Sequence, residues 1–572
     1  MYLRGDDFRE PKGQMSQSHR ELTSRDLCII VYNSNHILMS RYLFSRTAAV
    51  VGAVAASSFA TYTLTRAHLQ SNLPSDWFPN ESTTKLHSIS TPQYATPSQL
   101  QHAIRELRDV LGDTNVVNTP VVLEYHTRNE FNPHEPKPHE KPKYVIYPRS
   151  TNDVSEAMAI LNRYRVPVVP FSGGTSLEGH FYSTREGIVM DTSKMDQVLA
   201  INSEDLDVQV QAGVNWVRLN EQLAPHQLMI GSDCGPDGLI SGMINTNASG
   251  INASKYGAMI SNVISLTVVL PDGKIVRTKQ RPRKSSSGYS LTQLFVGSEG
   301  TLGIVTEATL KLHPIPRYET VIVGQFPTLL DSTKTVSQLY RAGVHPNAIE
   351  LLDRDMMHCI NYSGYFTQEW AEVPTLFFKV GGMSKAMVDE QVKVLKEISV
   401  KNNCKDFIAA KSEEEGKELF SARKNAFYAI LNYGRNEIDP DIRLWVTDIA
   451  VPLSKLPPVL DQIYAMIRES GFQSVILAHA GDANFHCDVF YKDHEKDKCE
   501  SLINKMMDLG LVNEGTASGE HGIGNGKRTF LIQELGQDAV DLMRRIKLAV
   551  DPNRILNPDK IFKIDPNDKG EF

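Results

Sequence analysis

The stretch VPVVPFSGGTSLEGH, residues 166–180, constrains the fold most. A run of strand formers breaks at Ser172-Gly173-Gly174 into a loop of small and hydroxyl residues. Consecutive glycines let a backbone take positive φ and turn several N–H groups onto one anion. Ser172, Thr175 and Ser176 add hydroxyl donors, and there is no lysine, so the loop suits a pyrophosphate held by neutral donors. A plain glycine-rich turn after a strand would read the same way locally. Two commoner phosphate motifs are absent. No GxGxxG follows a strand. HGIGNGKRT (521–529) approximates a P-loop, but His521 stands where its first glycine belongs and Arg528 where Ser or Thr belongs.

Around this loop, strand and helix patterns alternate. YVIYP (144–148) reads as a strand, and TNDVSEAMAILNRYR (151–165) as an amphipathic helix capped near Thr151 or Asn152. GIVMDTSKM and DVQVQAGV read as further strands, and ISLTVVLPDGKIVRT (264–278) as a hairpin about Pro-Asp-Gly. GTLGIVTEATLKLHPIP (300–316) closes the region with a strand and a proline exit. A second alternating region opens at YETVIVGQFP. The expected divisions are a presequence at 1–70, an extension and linker at 71–142 with a helix near 98–111, a first domain at 143–316 and a second at 317–572. In the linker, NPHEPKPHEKPK (132–143) excludes a helix or inner strand and puts His134 and His139 in solvent.

Composition narrows the class. The 572 residues are 41% hydrophobic and 22% charged, ordinary for a globular protein. A net charge of -7 indicates no general nucleic-acid face. Six scattered cysteines without a CxxC argue against a disulfide framework or a cysteine zinc site. From Met39, MSRYLFSRTAAVVGAVAASSFATYTLTRAHLQ is basic, Ser-rich and free of acids up to Asp76, the composition of a mitochondrial presequence. Its uncharged part, 47–65, has the length of a bilayer span, so a cleaved presequence and a membrane segment both fit. Asp6, Asp7, Glu10, Glu21 and Asp26 suit a presequence poorly and point to Met39 as a start. The basic RPRKSSSG (281–288) reads as a solvated loop or as a docking surface for an acidic redox partner.

HAGDANFH, His479 to His486, holds two histidines seven apart. In one straight strand they would face opposite ways. If Gly481-Asp482-Ala483-Asn484 reverses the chain, they come back toward each other. Metal ligands, a cofactor pocket and an ordinary hairpin are all compatible with that.

Several long motifs together resemble one family. VPVVPFSGGTSLEG looks like the pyrophosphate loop of the vanillyl-alcohol-oxidase-type flavoproteins, with the FAD-binding PCMH fold. GPDGLISGMINTNASGINASKYGAMISNVISLTVVLPDGKIVRT and LFVGSEGTLGIVTEATLKL resemble the second half of that domain. LAHAGDANFHCDVFY, NEGTASGEHGIGNGKR and DPNRILNPDKIF resemble the C-terminal domain of its D-lactate and D-2-hydroxyacid dehydrogenase branch. The resemblance implies an α+β chain: a PCMH-type FAD domain of two α/β subdomains, then an α+β FAD-linked oxidase C-terminal substrate domain.

It also implies a chemistry. FAD is expected on Ser172, Gly173, Gly174, Thr175, Ser176 and Gly179, with Gly235, Ser241, Gly242, Ser249, Gly250, Asn252, Tyr256 and Gly257 along the rings. Ile304 and Val305 are expected at the adenine side, and Asn557 at the flavin. Thr175, where some relatives carry a linking histidine, implies non-covalent FAD. His479, His486 and Glu520 are the implied ligands of a divalent metal, Zn²⁺ first and Mn²⁺ or Fe²⁺ as alternatives. His521 is the expected general base and Arg423 the carboxylate cation, with Arg443 as a second candidate. The implied reaction is oxidation of D-lactate, with D-2-hydroxyglutarate as the alternative substrate. Cytochrome c is the implied acceptor, at the mitochondrial inner membrane facing the intermembrane space. A flavin oxidase using oxygen and a degenerate, non-enzymatic flavin-fold protein are the rival classes.

Overall fold

The computed structural model describes residues 81–364 and 369–568. The expected presequence, Met39 and the 47–65 segment lie outside the described residues. Among the described residues no helix is long and apolar enough to cross a membrane.

The first sheet orders its strands Val116–Val117, Tyr144–Ile146, Ile188–Asp191, Val168–Phe171; the last three run parallel. Helices Pro97–Leu111 and Thr151–Tyr164 cover it, with Ala103, Ile104 and Leu107 packed among Val154, Met158 and Leu161. The first of these helices and the Val116–Val117 strand come from ahead of residue 143. The cap of the 151–164 helix is Ser150, not Thr151 or Asn152. Ser150 is extended (φ -147°, ψ 163°) and its side chain accepts the Asp153 N–H, whereas Thr151 is already inside the first turn.

The second sheet, Val198–Asn202, Asp207–Gln211, Ile304–Lys311, Val263–Val269, Ile275–Arg277, is antiparallel throughout. Its 263–277 hairpin is the one that Pro-Asp-Gly signals. The third sheet runs Asp406–Ala409, Tyr318–Gln325, Thr375–Gly382, Ala348–Leu352, Ser474–His479, Asn484–Tyr491, Arg443–Val446. Both its faces are covered: Ile322, Leu351, Phe378, Ile476 and Phe485 enter one core, and Val323, Leu352, Phe377, Leu477 and Phe490 the other. Strands buried on both sides read as continuous apolar runs, so a polar side chain in them needs a partner. The chain finally returns to the first sheet's free edge. Val168 N–H donates to Ile555 O and Asn557 N–H to Val168 O, both at 2.8 Å.

The 132–143 connector is irregular, as its prolines require, and His139 is exposed. His134 is not in solvent. It is 8% exposed, edge-on to Trp445 at 5.6 Å, with Nε2 3.4 Å from a Glu178 carboxylate oxygen. Its backbone is tied in place: the N–H donates to Asn132 Oδ1 at 2.9 Å and the carbonyl accepts from the Tyr182 hydroxyl at 2.6 Å.

Asp353 caps the Arg354–Ser363 helix and is buried, which pushes its carboxyl up to about 7. Its folded value lies above the unfolded one, so the folded chain holds a proton that the unfolded chain releases between about pH 4 and 7. This contribution is fully present below about pH 4 and is lost as pH rises toward 7. Asp353→Asn keeps the cap without the ionisation. It is expected to gain stability relative to the unaltered chain as pH rises from 4 to 7 and to run parallel above, which paired thermal melts check.

Candidate active site

A cavity of about 700 Å³ is walled by the Ser172–Leu177 loop, the 233–251 segment, the strand start at Ile304–Val305 and the third sheet's 479–488 hairpin. At one end, the amides of Gly173, Gly174, Thr175 and Ser176 make no hydrogen bond among the described residues. Asn129 explains their orientation: its Nδ2 donates to the carbonyls of Gly174 (3.0 Å) and Ser176 (2.9 Å), leaving the N–H groups for a ligand. Gly174 has φ +67°, and a Cβ on Gly173 would stand 2.6 Å from the Asp237 carbonyl oxygen. Unpaired amides, small residues and added hydroxyls fit a dinucleotide pyrophosphate.

Gly235, Ser241, Gly242, Gly250, Ile304, Val305 and Asn557 also line the cavity. Asn557 Nδ2 donates to the carbonyls of His180 and Glu299, and its buried Oδ1 has no partner. Gly179, Ser249, Asn252, Tyr256 and Gly257 are not among the residues that line the cavity. Tyr256, at the end of the short Ala253–Tyr256 helix, packs on His313 at 4.7 Å. Ser249 instead donates through Oγ to Glu520 Oε2 at 2.6 Å, beside the Gly250 N–H at 3.1 Å.

The 474–491 hairpin answers the question of the two histidines. A turn at 480–483 pairs His479 with Asn484 and Leu477 with His486, so both histidines share one face. Ala483 makes the reversal at φ +52°, a left-handed conformation that L residues rarely adopt. The rings are 5.5 Å apart and perpendicular. Glu520 Oε1 lies 3.0 Å from His479 Nε2 and 3.3 Å from His486 Nε2. Two imidazoles and one carboxylate turned to a common point match the donor set of a divalent metal with open positions. Burial alone would raise the Glu520 carboxyl, but His479 and His486 hold it well below the usual range.

Asp448 shapes the segment that carries Glu520. Its Oδ2 accepts the N–H groups of Glu520 (2.9 Å) and His521 (2.8 Å) and the Ser518 hydroxyl, while Oδ1 accepts from Asn484 Nδ2. The positive φ of Gly522 (83°) lets this bend hold both neighbours at the site. The His521 ring stacks on His486 at 5.0 Å and 11°. His521 Nδ1 is buried without a partner, and burial pushes the imidazole pKa down. In the P-loop-like stretch, Lys527 Nζ lies 3.1 Å from a Glu178 carboxylate oxygen.

Arg423, on the Glu413–Lys424 helix, lines the cavity and is 8% exposed. Its Nε donates to Glu350 Oε2 at 2.7 Å, while Nη1 and Nη2 make no hydrogen bond among the described residues. Arg443 is elsewhere: it pairs with Glu135 (2.8 Å) and Asp493 (2.6 Å), partly exposed, and does not line the cavity. Asn129, Glu350 and Asp448 escaped the sequence reading. Glu350 left a signal, one charge inside the apolar strand AIELL. Asn129 left none.

Comparison with known proteins follows this geometry. Residues 142–279 match the FAD binding domain family and 315–561 the FAD linked oxidases, C-terminal domain. The D-lactate dehydrogenase [cytochrome], mitochondrial, of Kluyveromyces lactis is 45% identical over 85% of each chain. D-lactate dehydrogenase [cytochrome] 1, mitochondrial, of Saccharomyces cerevisiae is 46% identical over 86% of this chain and 85% of its own. Among solved structures, p-cresol methylhydroxylase shares the fold, with a TM-score of 0.69 at 17% identity over 85% of this chain and all of its own. The chain belongs to the FAD-linked oxidase family of two-domain flavoproteins. Within it, the chain groups with the mitochondrial D-lactate dehydrogenases (cytochrome) that the first two relatives represent.

Proposed function

We propose that this protein oxidises D-lactate to pyruvate and passes the electrons to cytochrome c. The observation that carries this reading is one cavity joining the unpaired amides of the 172–176 loop to Arg423 and the His479–His486–Glu520 cluster, in a chain whose relatives bear that activity in their names. Arg423 grips the substrate carboxylate with its two free Nη groups. His479, His486 and Glu520 would hold a divalent ion, Zn²⁺ by donor type, which would supply Lewis-acid polarisation of the substrate hydroxyl. His521 takes the hydroxyl proton at Nε2, the nitrogen left to the cavity once Nδ1 is buried. The 172–176 loop would hold FAD without a covalent link at Thr175, and the flavin would supply the acceptor for the Cα hydride.

D-2-hydroxyglutarate would need a second cation for its tail. The Lys and Arg side chains among the described lining residues are Arg423 and an exposed Lys424, which favours a monocarboxylate. A mitochondrial location rests on the relatives' names and the basic composition after Met39. Cytochrome c as acceptor favours the intermembrane-space side, and the uncharged 47–65 segment favours association with the inner membrane.

Mixing the purified flavoprotein with D-lactate is expected to bleach the flavin, and cytochrome c to restore its colour. No bleaching sinks the reading, and equal bleaching by D-2-hydroxyglutarate reassigns the substrate. Chelation of the metal, or His479→Ala, is expected to abolish bleaching while FAD stays bound. Full metal occupancy in His479→Ala removes His479 from the ligand set.

A further inference from the structure

We propose that Glu350 is a positioning residue that ties the substrate-carboxylate cation to the metal-ligand cluster. This rests on the roles given above to Arg423 and His479. Glu350 is 1% exposed, and strand register sets it directly opposite His479. Its two oxygens are used in two directions. Oε2 accepts from Arg423 Nε at 2.7 Å, and Oε1 accepts from His479 Nδ1 at 2.9 Å.

Each contact fixes something the site needs. Holding Nδ1–H of His479 leaves Nε2, which faces Glu520 Oε1 at 3.0 Å, as the nitrogen offered to an ion. Occupying Nε of Arg423 sets the guanidinium plane and leaves the Nη pair for a carboxylate. Packing alone does not call for a charge here. The flanking Ala348, Ile349, Leu351 and Leu352 fill the two cores, and an apolar side chain at 350 would continue them. One buried carboxylate therefore gives the two halves of the site a common anchor.

The test compares Glu350→Gln and Glu350→Asp in the FAD-loaded protein. Glutamine offers one acceptor and one NH₂, so it keeps one contact and opposes the other. Aspartate is one methylene too short to span both. Zn²⁺ affinity, read without turnover by a competing chelator, is expected to fall about 10–100-fold in Glu350→Gln. With Zn²⁺ saturating, KM for D-lactate is expected to rise at least about tenfold, with kcat changing less. Glu350→Asp should recover one of the two properties and not both. If Glu350→Gln loses FAD or fails to fold, Glu350→Asp carries the same two readouts. A lower melting temperature with Zn²⁺ affinity and KM unchanged overturns the proposal and leaves Glu350 structural. Absence of Zn²⁺ binding in the unaltered chain overturns the metal reading itself, and this inference with it.

Discussion

His521→Asn is expected to slow bleaching by D-lactate about 10²–10⁴-fold while FAD and metal content hold. The geometry makes this a clean substitution. Asp448 holds the segment through the backbone N–H groups of residues 520 and 521, which asparagine retains. Glu520 keeps its contacts to both histidines and to Ser249 and Gly250. What disappears is the imidazole stacked on His486, which burial favours in its neutral, proton-accepting form. Asparagine has no nitrogen that takes up a proton near neutral pH. Stopped-flow absorbance gives the rate, and the flavin spectrum and metal analysis confirm that the site is loaded. Reduction at the unaltered rate would assign the base to another group.

Local chemistry was readable from the sequence where a motif carries its own geometry. The strand entering Ser172–Ser176 and the Pro-Asp-Gly hairpin are signalled by turn residues, and the Gly-Asp-Ala-Asn of HAGDANFH allowed the reversal without fixing it. Contacts between distant strands were not readable. Glu350 meets His479 because the Ala348–Leu352 and Ser474–His479 strands pair in one register, and register depends on the assembled sheet. Asp448 reaches Glu520 and His521 across about 70 residues of chain for the same kind of reason. Asn129 belongs to a stretch that read as linker, and its role appears only once the 172–176 carbonyls are in place. Arg423 was the first candidate and Arg443 the second, and packing separates a buried cation from a partly exposed ion pair.

Arg423→Met is expected to lower kcat/KM for D-lactate about 10²–10³-fold, the loss of a buried charge-assisted contact of about 3–4 kcal/mol. Methionine keeps an unbranched apolar stem but removes every donor. The substrate carboxylate then has no buried cation among the described lining residues, since Lys424 is exposed. The change reaches further than substrate. Glu350 retains only His479, and a buried carboxylate that loses one of two partners costs about 3 kcal/mol. Arg423→Met should therefore melt lower as well as turn over more slowly. Arg423→Lys separates the effects. Its ammonium keeps the charge near Glu350, so stability should largely return. It lacks the planar fork that holds Glu350 through Nε while presenting two Nη donors, so KM should stay raised. Steady-state kinetics and thermal melts on the two variants check both halves. A normal KM in Arg423→Lys would show that charge alone, and not the guanidinium geometry, holds the substrate.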